Sequence, residues 1–260
     1  MTVLLALIGM SAAPNPQDAA VAARMHFEAG VEARHDSATA RGQFAKAAQL
    51  YDELWGHPVR NAALAKNRAR AHRLAGNLPA AIAALHEGLR IARYDRSLQV
   101  ELEDARGAVE YAHADLAAAC RPAPLRGIGT RMSPVEACLI AAVLWFGACI
   151  GVARFAMTRV PGWLFASAAS LVLLAILSVF WWQDARRQTH DAARPLIIVS
   201  RSCDLKGGNG DLWPDRLKWK LPPGAEVREL ARRGGWIQVE LVSGTVGWIP
   251  EDAAITLSGG

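Results

Sequence analysis

Two long uncharged stretches constrain this chain more than anything else in it. Residues 137–153 and 160–183 contain no Asp, Glu, Lys, Arg or His, and they are 17 and 24 residues long. A helix rises about 1.5 Å per residue and a bilayer core is about 30 Å thick, so ~17–25 apolar residues make one crossing. The segment between them, Arg154-Phe-Ala-Met-Thr-Arg-Val-Pro-Gly162, has room for little more than a turn, so the two helices must run antiparallel. Arg154 can extend its head group to the bilayer surface and so lengthen the shorter stretch. Trp163 at one end and Trp181 and Trp182 at the other suit the membrane–water interface. With no ionisable side chain inside either span, the pair reads as an anchor rather than a transport path.

Two crossings divide the rest into two soluble parts on the same side. The formal charge of +5 is spread unevenly over the 260 residues. Residues 14–118 hold 13 Lys+Arg against 13 Asp+Glu, residues 194–260 hold 9 against 8, and residues 119–193 hold 7 against 3. The excess therefore flanks the spans. No basic stripe is interleaved with aromatics, so nucleic acid is not an expected partner. Cys138 and Cys149 lie in the first span, which leaves Cys120 and Cys203 as the pair expected to meet water. A disulfide between those two stays open. There is no CxxC or Cys/His cluster, no P-loop and no GxGxxG, and no histidine stands near a cysteine in a nucleophile motif. No catalytic residue, metal or cofactor is expected, and the chain does not read as an enzyme.

Ahead of the spans the chain repeats itself. Gly42 and Gly76 are 34 residues apart, as are Phe44 and Leu78, Ala47 and Ala81, Tyr51 and Leu85, and Trp55 and Leu89. This is the period of the tetratricopeptide (TPR) helix–turn–helix unit. A turn former, a large residue, a small Ala where two helices approach, and a bulky residue filling the gap recur in order. Gly42 to Tyr51 and Gly76 to Leu85 resemble the second helix of that unit. Ala62 to Leu74 resembles its first helix, with Asn67 where the family often carries Asn. The stretch from Gly30 to Gly42 is five residues too long, so His35 to Thr39 is expected to be an inserted turn. Stacked repeats need about three units to bury a continuous core, and Arg96 to Leu116 is expected to supply a capping helix.

The resemblance implies a concave groove that binds extended peptides. Lys66, Arg70 and Arg73 recur at i, i+4 and i+7 and share one helical face beside Asn67. Such a face can hold an acidic peptide or a terminal carboxylate through charge-assisted hydrogen bonds, or serve only as a solvated surface.

After Pro195 the texture changes to short apolar runs broken by Gly and Pro, the pattern of a small barrel. Leu196 to Val199, Ala225 to Leu230, Trp236 to Leu241 and Thr245 to Pro250 are the expected strands. Ile237, Val239 and Leu241 alternate with Gln238 and Glu240, and Ser243-Gly244 forms a turn. The run Leu221-Pro-Pro-Gly224, Gly234-Gly-Trp-Ile-Gln-Val-Glu-Leu241 and Ser243-Gly-Thr-Val-Gly-Trp-Ile-Pro250 resembles bacterial SH3-like (SH3b) domains. Trp236 and Trp248 read as packing or ligand-reading residues alike. Trp213 and Trp219, in the variable loop Asp211 to Lys220, are the candidate binding surface.

Met1 to Ala13 is an apolar run ending in small residues, as in an export signal, although it lacks a positive start and could instead open the first helix. The expected architecture is a multidomain membrane protein: an all-α TPR repeat, a two-helix transmembrane hairpin and a small all-β SH3-like barrel. Its parts are a signal-peptide-like leader at 1–13, a TPR domain at 14–118, a linker at 119–134, the hairpin at 135–183, a linker at 184–194 and the SH3-like domain at 195–258. In that combination the chain resembles the TPR component of the bacterial aerotolerance (Bat) operon, the BatE-like proteins. The resemblance implies a non-enzymatic scaffold in the inner (cytoplasmic) membrane, assembled with von Willebrand factor A-type membrane proteins and linked to a MoxR-type ATPase. Its role would lie in stress tolerance or envelope maintenance. An envelope sensor whose SH3-like tail binds peptidoglycan (the cell wall) or peptides is the alternative. The leader places both soluble parts outside the cytoplasm. Arg121, Arg126, Arg131, Arg186 and Arg187 beside the outer span ends argue for the opposite side, and the reading follows the leader.

Overall fold

A computed structural model describes residues 16–58, 60–122 and 133–257; the leader and Arg126 and Arg131 lie outside the described residues. Among the described residues the chain is mostly helical, with eight α-helices, one small antiparallel sheet of five strands, and two helices apolar enough to cross a membrane. The helices are α1 (Pro16–Glu32), α2 (Ser37–Trp55), α3 (Ala62–Leu74), α4 (Leu78–Ile91), α5 (Arg96–Gly107) and α6 (Ala114–Cys120), then α7 (Pro134–Thr158) and α8 (Gly162–Ala193). The strands are β1 (Leu196–Val199), β2 (Glu226–Arg233), β3 (Trp236–Glu240), β4 (Val246–Pro250) and β5 (Ala254–Thr256).

Side chains before the helices set where they begin. The carboxylate of Asp36 accepts from the Ala38 and Thr39 amides, Asn61 from Leu64, Asn77 from Ala80, and Asp95 from Ser97 and Leu98. Each satisfies amides that have no partner inside the helix. The Asp36 cap settles the irregular first repeat. A 3₁₀ turn at Ala33–His35 takes up part of the extra length, and α2 starts at Ser37, well before Gly42. The expected inserted turn at His35 to Thr39 is thus half helix. Gly42 sits inside α2, while Gly76 lies in the turn before α4. Arg96 to Leu116 is not one capping helix either: α5 ends at Gly107, and α6 is a separate element running across residue 118.

Consecutive helices pack on one another from α1 to α5. Phe44, Ala47, Tyr51 and Trp55 of α2 are buried, and so are Ala81 and Leu85 of α4. Two apolar clusters result. One joins Ala19 and Ala23 to Ala47, Tyr51, Leu54 and Ala71; the other gathers Ile82, Leu85, Leu98 and Leu102.

The sheet order is β4-β3-β2-β1-β5, with every neighbouring pair antiparallel. Along β3 and β4 inward Ile237, Val239, Gly247 and Ile249 alternate with half-exposed neighbours, as a pleat with one buried face requires. Between β1 and β2 the chain makes an excursion pinned by bridges from Cys203 to Leu221 and from Lys206 to Asp215 and Trp248. The sheet core does not close with its own residues. Leu116 and Cys120 of α6 are buried in it among Ile197, Val199, Leu221 and Val239, and the Ser243 amide donates to the Ala119 carbonyl at 3.1 Å.

In the apolar pair, Ser133 and Glu136 form a reciprocal cap at the start of α7, and Arg159 ends it in the left-handed region (φ 56°). The closest approach of the two helices is at Gly151, where an added Cβ would stand 2.2 Å from the Ser167 Oγ. Ser167 donates to the Ala148 carbonyl across the pair and to Trp163 within its own helix. Small residues and shared hydroxyls are what lets helices meet where lipid offers no hydrophobic drive.

Candidate functional site

An open groove runs between α1 and α3, with Tyr51 of α2 forming its floor. It consists of two adjoining cavities of about 600 and 470 Å³ that share Arg24, Tyr51 and Asn67. The sequence builds it from alanines. Ala23, Ala47 and Ala71 are completely buried where the helices meet, so the larger side chains are pushed to the rims. The α1–α2 pair is held by a T-shaped contact between Phe27 and Phe44 (5.3 Å, 66°) and a 2.8 Å hydrogen bond between His26 and Gln43. One half of the groove adds Phe27, Glu28, Val31 and Glu32; the other adds Ala20, Leu54, His57 and Leu64. Burial raises the pKa of the Tyr51 phenol, so it stays a neutral hydrogen-bonding group at the centre.

The four basic or polar residues expected to act together are split. Asn67 lines the groove. Arg70 turns instead to α5, where its Nε donates to the Glu101 Oε1 at 2.7 Å. The Ser97 hydroxyl first, then the Leu98 and Ser97 amides and last the charge of Lys66, hold the Asp95 carboxyl below its ordinary range. Arg73 is exposed to solvent. The i, i+4, i+7 spacing did identify one helical face, but α5 packs along it and supplies the carboxylates. On that face Arg70 is paired and Arg73 stays open to solvent.

Neither expected tryptophan is a free platform. Trp213 is 53 % exposed, but its ring folds over Gly208, where an added Cβ would come within 2.5 Å of it. Trp219 stacks on His113, with centroids 5.6 Å apart and planes 6° from parallel, and Lys218 lies 5.2 Å from the ring on which it acts. His113 caps α6, so Trp219 ties the sheet to the helices. Leu212, fully exposed at the tip of the same excursion, was not anticipated.

The strongest electrostatics lie where helices and sheet meet, and no sequence pattern marked them. Glu226 opens β2 and is only 4 % exposed. Arg106 of α5 grips it with two bonds, Nε to Oε1 at 2.6 Å and Nη2 to Oε2 at 2.7 Å, and His86 of α4 donates through Nε2 at 3.1 Å. Burial alone would push this carboxyl up. His86 and Arg106 outweigh it and hold the carboxyl at about 2, against an ordinary 4.5. Around the pair, Ile198 is buried among Ile82, Leu85 and Leu98, and Gly224 (φ +89°) turns the chain with Val109 only 3.0 Å from where its Cβ would be.

Cys120 and Cys203, expected to meet water, are both buried free thiols in the sheet core, and burial pushes each up to about 11. They are poor nucleophiles in that state. Cys138 and Cys149 lie on the outer surface of the apolar pair. Among the described residues no group of three or more His, Cys, Asp or Glu is placed to hold a metal ion. No family model, curated protein or solved structure matches this chain.

Proposed function

We propose that this chain is a non-enzymatic scaffold, anchored by α7 and α8 in a bacterial inner membrane, with α1–α5 acting as a TPR-type array that binds partner proteins. The observation that carries this reading is the α1–α3 groove. It is the one place described above where large apolar, amide and charged side chains line an open channel, while the charges at the helix–sheet junction are consumed internally. The soluble body lies outside the cytoplasm in this reading. The sheet, as an SH3-like barrel, completes that body through α6. The partners proposed are von Willebrand factor A-type membrane proteins of a Bat-type assembly linked to a MoxR-type ATPase and serving stress tolerance or envelope maintenance.

The test is co-purification. The full chain, extracted from membranes in mild detergent, should bring a von Willebrand factor A-type protein with it. The variant Asn67→Arg, which places a long cation in the groove, should lose that partner while its membrane level stays the same. Equal recovery with Asn67→Arg would refute the groove as the partner site.

The exposed Leu212 and half-exposed Trp213 favour a second reading, in which the excursion of the sheet binds peptidoglycan or peptides. The full chain in detergent should then sediment with purified sacculi, and Leu212→Ser with Trp213→Ala should stay in solution.

A further inference from the structure

We infer that the groove takes an extended segment that is apolar at one end and basic at the other, rather than an acidic one. This rests on the reading of the groove as the partner site. The two halves of the groove differ in charge. Around Leu54 and Leu64 the lining is apolar and amide-bearing, and His57 is the only titratable side chain that it does not share with the other half. Around Phe27 and Val31 it carries Glu28 and Glu32 against a single cation, Arg24. Arg24 is already committed to Glu28 through a 2.7 Å pair one helical turn away. Glu32 therefore leaves that end with an excess negative charge.

Two of the α3 arginines that an acidic ligand could use are engaged within the fold. Arg70 is bonded to Glu101. Arg68 is held between Asp52 and Glu87 and lies 5.6 Å from the Trp55 ring. An incoming carboxylate would have to break these pairs or meet Glu28 and Glu32 directly. An incoming Lys or Arg meets a carboxylate end, while an apolar residue beside it finds Leu54, Leu64 and Ala20. Asn67 and the neutral Tyr51 phenol, at the junction of the halves, are positioned to bond the ligand's main chain. Charge chooses the partner and its direction here more than it sets affinity, as at other polar rims.

The test uses the full chain reconstituted in lipid nanodiscs and panned against a random-peptide phage library. Enriched peptides should pair a Lys or Arg with neighbouring large apolar residues. The best of them, labelled and followed by fluorescence anisotropy, should bind Glu28→Gln and Glu32→Gln about two- to fivefold more weakly, as expected for exposed charge pairs. Raising the salt should weaken binding to the wild type more than to the double variant. Enrichment of acidic peptides would overturn this inference and leave the scaffold reading standing. Peptides bound equally well by Asn67→Arg would place the ligand elsewhere and overturn it as well. No enrichment at all would sink the inference and the partner-groove reading together.

Discussion

The two ends of the helical stack handle charge in opposite ways. At the α4–α5 end the sheet closes over Glu226, Arg106 and His86, and both oxygens of the Glu226 carboxylate have partners within the fold. At the α1–α3 end Glu32 and Asn67 stand exposed around an open channel. A buried ion pair costs much of its attraction in desolvation, so its retention speaks for a specific junction rather than for added stability. Exposed charges contribute little to folding and remain available to a partner. In the proposed reading, the difference separates the surface that holds the molecule together from the surface offered to others.

The contrast breaks most visibly at Arg106. Arg106→Ala leaves Glu226 buried without its guanidinium, and the expected loss is ~3–5 kcal/mol in chemical unfolding of the detergent-solubilised chain. The junction also sets an acid limb. The Glu226 carboxyl is lower in the folded state, at about 2 against 4.5, so its contribution is complete above about pH 4.5 and is lost as the pH falls towards 2. A stability–pH profile should show this loss, and Glu226→Gln should flatten it.

Gly224→Val is the next largest effect. Its φ of +89° disfavours any side chain, and the new carbons would press on Val109 and Ile82. Strain and overpacking together predict about 2 kcal/mol, read from the same unfolding curves. The thiols sharpen the picture without a stability measurement. In the native chain a membrane-impermeant maleimide should leave Cys120 and Cys203 unmodified, as mass spectrometry of the labelled protein would reveal. Loosening the junction with Arg106→Ala should expose both. The smallest effects belong to the groove: Asn67→Ala and Glu32→Gln should alter stability by no more than ~0.5 kcal/mol while weakening partner capture.

What could be read from residues alone was the local part of this picture. The uncharged stretches, the alternation of Ile237, Val239 and Leu241, and the 34-residue echo of Phe44 in Leu78 all mark elements whose pattern lies within a short window. The junction lies outside any such window. Arg106 and Glu226 are 120 residues apart with both apolar helices between them, and no spacing rule pairs them. Helix α6 was missed for a similar reason. Its seven residues straddle the expected boundary between the helical domain and the linker at residue 118, and only the sheet shows where Leu116 and Cys120 go. The cationic face of α3 was read correctly as a face, but nothing in its spacing announced the Glu101 that α5 brings to Arg70. Gly42 misled because a glycine in a 34-residue echo looks like a turn, whereas the Asp36 cap had already started the helix.

In the proposed reading, partners are held in the α1–α3 groove of a body whose other end is sealed by its own sheet. Hydrogen–deuterium exchange on the nanodisc-embedded chain, with and without the proposed von Willebrand factor A-type protein, tests this. New protection is expected along α1 and α3, with little change at β2 and α5, which are already closed. Protection confined to the excursion around Leu212 and Trp213, with α1 and α3 unchanged, would contradict it.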